Sequence, residues 1–151
     1  HPDGHLFAAG AETGDIKLYG TISRELMATF TIGAPVQAIV FSENGYHLAV
    51  AGKGLSTVKV FDLRKEGDAA CCKVFEHDGP VDCLAWDYSA QFLAMGGSSG
   101  VSVQQWVKSS KSWNEIFKSS LPAVALGWNH TAKQLVVSSR EGLLTVLSNE
   151  E

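Results

Sequence analysis

Apolar residues in this chain come in short runs broken by turn residues, and no stretch keeps the 3.6-residue period of an amphipathic helix. The run Val36-Gln37-Ala38-Ile39-Val40-Phe41 ends in a large aromatic, and two later runs end the same way at Trp86 and Trp128. A turn follows each. In Ser42-Glu43-Asn44-Gly45 the Asn-Gly pair supplies the positive φ that a tight hairpin needs. A second apolar run comes next, at residues 48–51, 92–95 and 135–137. Past a loop of about six residues, a third short strand closed by a bulky residue is predicted at 16–19, 58–61, 103–106 and 144–147. A fourth strand is predicted at 25–30, 71–75 and 113–117. Short strands at regular spacing, with turn residues between them, predict an all-β chain.

Slid over itself, the sequence aligns three stretches without a gap: VQAIVFSENGYHLAVAG (36–52), VDCLAWDYSAQFLAMGG (81–97) and AVALGWNHTAKQLVVSS (123–139). Their offsets are 45 and 42 residues, and residues 1–10 match the same unit from Ser42 onward. A four-stranded repeat of about 40–45 residues is one blade of a WD-type β-propeller. The whole of 1–151 is therefore predicted to be a partial propeller, with blade fragments at about 1–35, 36–80, 81–122 and 123–151. Runs apolar on both faces, as at 38–41, are those of strands sandwiched between blades. Phe41, Trp86 and Trp128 are accordingly expected in the inter-blade core. In the last repeat only Ser148-Asn149-Glu150-Glu151 follows the third strand. An open sheet edge invites pairing, so a strand from upstream of His1 is expected to hydrogen-bond along 144–147 and clasp the first and last blades.

Phe61-Asp62 stands where WD repeats carry their Trp-Asp dipeptide, and Glu76-His77-Asp78-Gly79-Pro80-Val81 resembles the Gly-His turn before a first strand. Taken in order, the segments 41–46, 58–65 and 112–116 (FSENGY, VKVFDLRK, SWNEI) resemble the propeller of the pre-mRNA-processing factor 19 family. That resemblance implies a C-terminal portion, about half of a seven-bladed ring. It implies a docking platform for protein partners, spliceosomal subunits among them, in a nuclear splicing factor. It further implies a U-box carrying ubiquitin-ligase chemistry and a coiled coil assembling a homotetramer, both outside this chain. The sequence also departs from the WD pattern. Tyr19-Gly20, Trp106-Val107 and Leu147-Ser148 lack the aspartate, and the Asp usual between second and third strands is missing after Gly52, Gly97 and Ser139. With that partner absent, His77 is expected to bond to backbone or solvent.

The formal net charge of −4 is the wrong sign for nonspecific binding to nucleic acid or an anionic membrane. No apolar run approaches the ~20 residues that span a bilayer. Three cysteines give no paired disulfide framework and fit a reducing, intracellular setting. Cys71, Cys72, His77 and Cys83 lie close in sequence but match no standard spacing of zinc-ligand pairs, so no metal or cofactor is expected. Gly96-Gly97-Ser98-Ser99-Gly100 lacks a Walker lysine and leads into a strand, which makes it a hairpin and not a phosphate loop. No Gly-x-Ser-x-Gly elbow is present. An enzyme on this scaffold would need polar groups converging where first strands begin, and Asp82 is the one acid there. The expectation is therefore an interaction module with no catalytic residue in this region. Arg64-Lys65 and Lys108 with Lys111 read as solvated rim. One face is built from the turns at 32–35, 77–80 and 119–122 together with the second-to-third-strand loops. On it Lys53, His77, Asp78, Ser98, Arg140 and Glu141 are the candidate partner-binding residues. The alternative is a WD-repeat scaffold of another intracellular complex with no spliceosomal role.

Overall fold

The computed structural model describes residues 1–148, and within them the alternation of side chains along each strand sets the architecture. Four antiparallel meanders form. They are β1 (Leu6–Gly10), β2 (Asp15–Gly20), β3 (Leu26–Thr31); then β4 (Val36–Phe41), β5 (His47–Gly52), β6 (Thr57–Asp62), β7 (Cys71–Glu76). The third sheet is β8 (Cys83–Trp86), β9 (Phe92–Gly97), β10 (Gly100–Val107), β11 (Ser112–Ser119), and the last is β12 (Ala125–Trp128), β13 (Gln134–Ser138), β14 (Leu144–Ser148). The first strands of the last three sheets stand side by side, β4 by β8 and β8 by β12, and β1, a second strand of the repeat, lies beside β4. Sheets packed face to face around a row of inner strands are the arrangement of propeller blades.

Each inter-sheet space has its own core, filled by opposite faces of the same strands. On β5, Leu48 and Val50 point back toward the first sheet and join Ile16, Leu18, Phe30 and Phe61. Ala49 and Ala51 point forward and join Val58, Val60, Phe75, Trp86, Leu93 and Met95. On β9 the pattern repeats: Leu93 and Met95 face the second sheet, while Ala94 joins Val101, Val103, Leu135 and Val137 against the last. Large side chains face backward and small ones forward, so each space is filled without overcrowding. Burying one such aliphatic side chain contributes about 1.5–3 kcal/mol. Phe41, Trp86 and Trp128 all lie in these spaces, as the sequence predicted.

Two details differ from expectation. Gly97 pairs directly with Gly100, so only Ser98 and Ser99 separate β9 from β10. The register then puts Gln104 opposite Leu93, where Phe61 stands opposite Leu48. The spacing predicts Trp106 as the bulky end of that strand; Trp106 instead pairs with Trp113 and packs against it, ring centroids 5.5 Å apart. A 3₁₀ turn at Gly67–Ala70 also went unforeseen, since four residues carry no period to read.

Candidate docking surface

At one end of the sheets the loops between second and third strands meet the loops that lead into the next sheet. Backbone hydrogen bonds fix this end. Lys53 N donates to Pro35 O at 2.7 Å, His77 N to Ser56 O at 2.8 Å, and Val81 N to Leu55 O at 3.0 Å. A side chain at Gly97 would strike the Pro80 carbonyl, and one at Gly100 would strike that of Ser119. The glycine-rich segment 96–100 is therefore glycine because three backbones converge there.

His77 lies half-buried in this junction. Its Nε2 is 3.3 Å from the Gly100 carbonyl and its Nδ1 is 3.1 Å from the Ser102 hydroxyl. A neutral ring with its proton on Nε2 satisfies both: Nε2–H donates to the carbonyl and Nδ1 accepts from the hydroxyl. The expectation of a backbone partner holds, and the buried Ser102 is a second partner that the sequence did not reveal. Asp78 is exposed and accepts from Lys118 Nζ at 2.8 Å. The bond from Lys118 holds the Asp78 carboxyl below the usual range, and the same bond raises Lys118. In water such a pair contributes little stability; it orients the loop at residues 77–80 against β11. Lys118 was missed because nothing in its sequence links it to a residue forty positions earlier.

The structure brings Lys53, His77, Asp78 and Ser98 onto adjoining loops of the second and third sheets. Arg140 and Glu141 sit at the same end on the β13–β14 turn of the last sheet and are exposed. Lys53, Asp78 and Ser98 are likewise exposed. The cysteines show a different chemistry. Cys71 and Cys72 open β7 while His77 follows its far end, a strand length of about 20 Å at ~3.3 Å per residue. Cys83 is buried on β8 and its thiol donates to Gly96 O at 3.4 Å. Burial pushes that thiol up to about 12, which keeps it protonated and unreactive at neutral pH.

The profile of the family "WD domain, G-beta repeat" matches residues 69–103, from the strand that closes the second sheet through most of the third. This chain is a stretch of WD repeats. The matched WD unit thus straddles two sheets, contributing the outer strand β7 to one and β8–β10 to the next. The WD-repeat chain is 31% identical to Pre-mRNA-processing factor 19 of Schizosaccharomyces pombe over 95% of its length, covering 29% of that protein. It is 35% identical to Pre-mRNA-processing factor 19 of Oryza sativa subsp. japonica over 76% of its length, covering 21% of the relative. It is also 30% identical to WD repeat-containing protein 1 of Bos taurus over 64% of its length and 16% of that protein. The chain spans less than a third of the length of these relatives.

Proposed function

We propose that this WD-repeat chain is a protein-docking surface of a nuclear splicing factor of the pre-mRNA-processing factor 19 type. The observation that carries the reading is the 31% identity to that factor from Schizosaccharomyces pombe, over 95% of this chain. Supporting it, the loops bearing Lys53, His77, Asp78, Ser98, Arg140 and Glu141 are held by rigid sheets at one end of the molecule, with mixed charge suited to protein partners. Partners are spliceosomal subunits. The ubiquitin-ligase U-box and the coiled coil of a homotetramer belong to the rest of the protein. The test is a pull-down from nuclear extract with the complete protein carrying Lys53→Glu and Arg140→Glu. Spliceosomal subunits retained by the wild type should be lost from the double variant. Equal recovery with both would remove these loops from the interface.

A second reading has its own support in the 30% identity to WD repeat-containing protein 1. On that reading the chain is a scaffold with no spliceosomal role. The complete gene separates the two: a U-box and coiled coil upstream of this region favour splicing, and further WD repeats in their place favour the alternative.

A further inference from the structure

At the opposite end of the third and fourth sheets, three described turns together carry a net positive charge, opposite in sign to that of the chain as a whole. The turn 87–91 joins β8 to β9, and the turn 129–133 joins β12 to β13. They are neighbours, tied by Tyr88 packed against the His130 imidazole with ring centroids 4.7 Å apart. Tyr88 is 63% exposed, so the pair faces water and not a core. Trp106 N donates to Gln91 O at 2.8 Å, which sets the β10–β11 hairpin beside the first of these turns. The three turns carry Lys108, Lys111 and Lys133, all exposed. Their one carboxylate, Asp87, is fully buried and taken up by the amides of Ser89, Gln91 and Phe92. The other end of the same two sheets instead mixes Asp78, Asp82 and Glu141 with Lys118 and Arg140.

Both turns are rigid by construction. Asn129 Oδ1 accepts from Lys133 N and Gln134 N, each at 3.1 Å, as Asp87 does in the neighbouring turn. A surface already held in place loses little entropy when something binds to it.

We propose that this end is a second docking surface, taking a short acidic peptide segment of a protein partner. Its carboxylates would meet the three lysines, and its chain would cross the Tyr88–His130 pair. Charge selects the occupant. A net charge of −4 repels a long polyanion such as RNA, while screening within about 8 Å at physiological salt lets a local cluster of lysines act on a short segment. The surface stands at the other end from Lys53 and Arg140, so the failure of those loops to dock a partner leaves it untouched.

The test uses the complete protein and fluorescein-labelled octaglutamate, followed by anisotropy, with octaglutamine and octauridylate as competitors. Octaglutamate should bind saturably and more weakly as salt rises. Its affinity should fall at least tenfold in Lys108→Glu/Lys111→Glu/Lys133→Glu and several-fold in Tyr88→Ala, which leaves every charge in place. Arg140→Glu, at the other end of the sheets, should leave octaglutamate affinity at its wild-type value. Should the triple variant lose its wild-type melting transition, Lys133→Glu alone is read, with a loss of about threefold expected. Absence of saturable binding, affinity that survives the lysine changes, or an equal loss with Arg140→Glu would overturn the proposal. So would octauridylate competing more strongly than unlabelled octaglutamate, which would make the surface a nucleic-acid site.

Discussion

Asp87 shows how much one side chain can hold. It is fully buried and its carboxylate accepts from the amides of Ser89, Gln91 and Phe92 and from the Ser89 hydroxyl. Ser42 and Asn129 occupy the same place in their repeats, and each accepts from the backbone amide of the strand that follows. Hydrogen bonds to a charged acceptor contribute about 1.5–3 kcal/mol each, and amides left without a partner cost more. Asp87→Ala is therefore expected to destabilise the complete protein by about 3 kcal/mol or more, and Asp87→Asn by roughly half that, measured by urea unfolding. His47 makes a pH-dependent contribution. Burial, with the Trp86 ring at 6.3 Å, holds its pKa below the ordinary 6.5; Asp62 opposes the shift, and Arg64 and Lys65 add to it. The unfolded chain therefore takes up the proton more readily, so stability is complete above about pH 6.5 and declines as pH falls below it. For one proton the slope cannot exceed about 1.4 kcal/mol per pH unit. Melting temperature followed from about pH 7 to pH 5.5 should fall less steeply in His47→Gln than in the wild type.

Among the described strands, β14 has incomplete surroundings at the outer edge of the last sheet. In the space between the first two sheets, Phe61 is enclosed by Ala70 and Cys71, where the second sheet's fourth strand begins. Its counterpart Leu147 instead borders an open groove of about 360 Å³, shared with Phe117, Ile116, Trp128 and Leu135. Phe117 is left 36% exposed and Ile116 49% exposed. The backbone of β14 pairs with β13 on one side and with no described strand on the other. A strand laid along that edge would close the groove and satisfy the free amides. In the complete protein the amides of residues 144–147 should be protected from hydrogen exchange, and deletion of the segment upstream of His1 should remove that protection. Protection unchanged by the deletion would mean that the edge is covered by something else.

Across the whole molecule, the faces at the two ends of the row of sheets carry apolar side chains that the inner sheets bury. Phe7 and Tyr19 stack on the outer face of the first sheet with centroids 5.2 Å apart, and Phe7 is 49% exposed. On the outer face of the last sheet Leu144 is 68% and Val146 55% exposed. Patches of this kind drive association, so residues 1–151 expressed alone should form aggregates or a molten state by sedimentation and near-ultraviolet circular dichroism. A monomer with a sharp thermal transition would contradict this. The sequence by itself determined the repeat, the number and order of strands and the large aromatics between sheets, because period-two burial and turn residues are local signals. The same local turn signals put Lys53, His77, Asp78, Ser98, Arg140 and Glu141 on turns at one end of the sheets. Only the tertiary structure decided the two-residue slip of β10, since register depends on which backbones meet at Gly97 and Gly100. The same holds for the left-handed φ of 57° at Ala90 and Ala132, which stand where Gly45 takes 74°, and where the hairpins around Asp87 and Asn129 impose the conformation. The partners of His77 and Asp78, and the meeting of Tyr88 with His130, also belong to the tertiary structure. Each joins residues twenty-three to forty-two positions apart, across sheet contacts that no local pattern encodes.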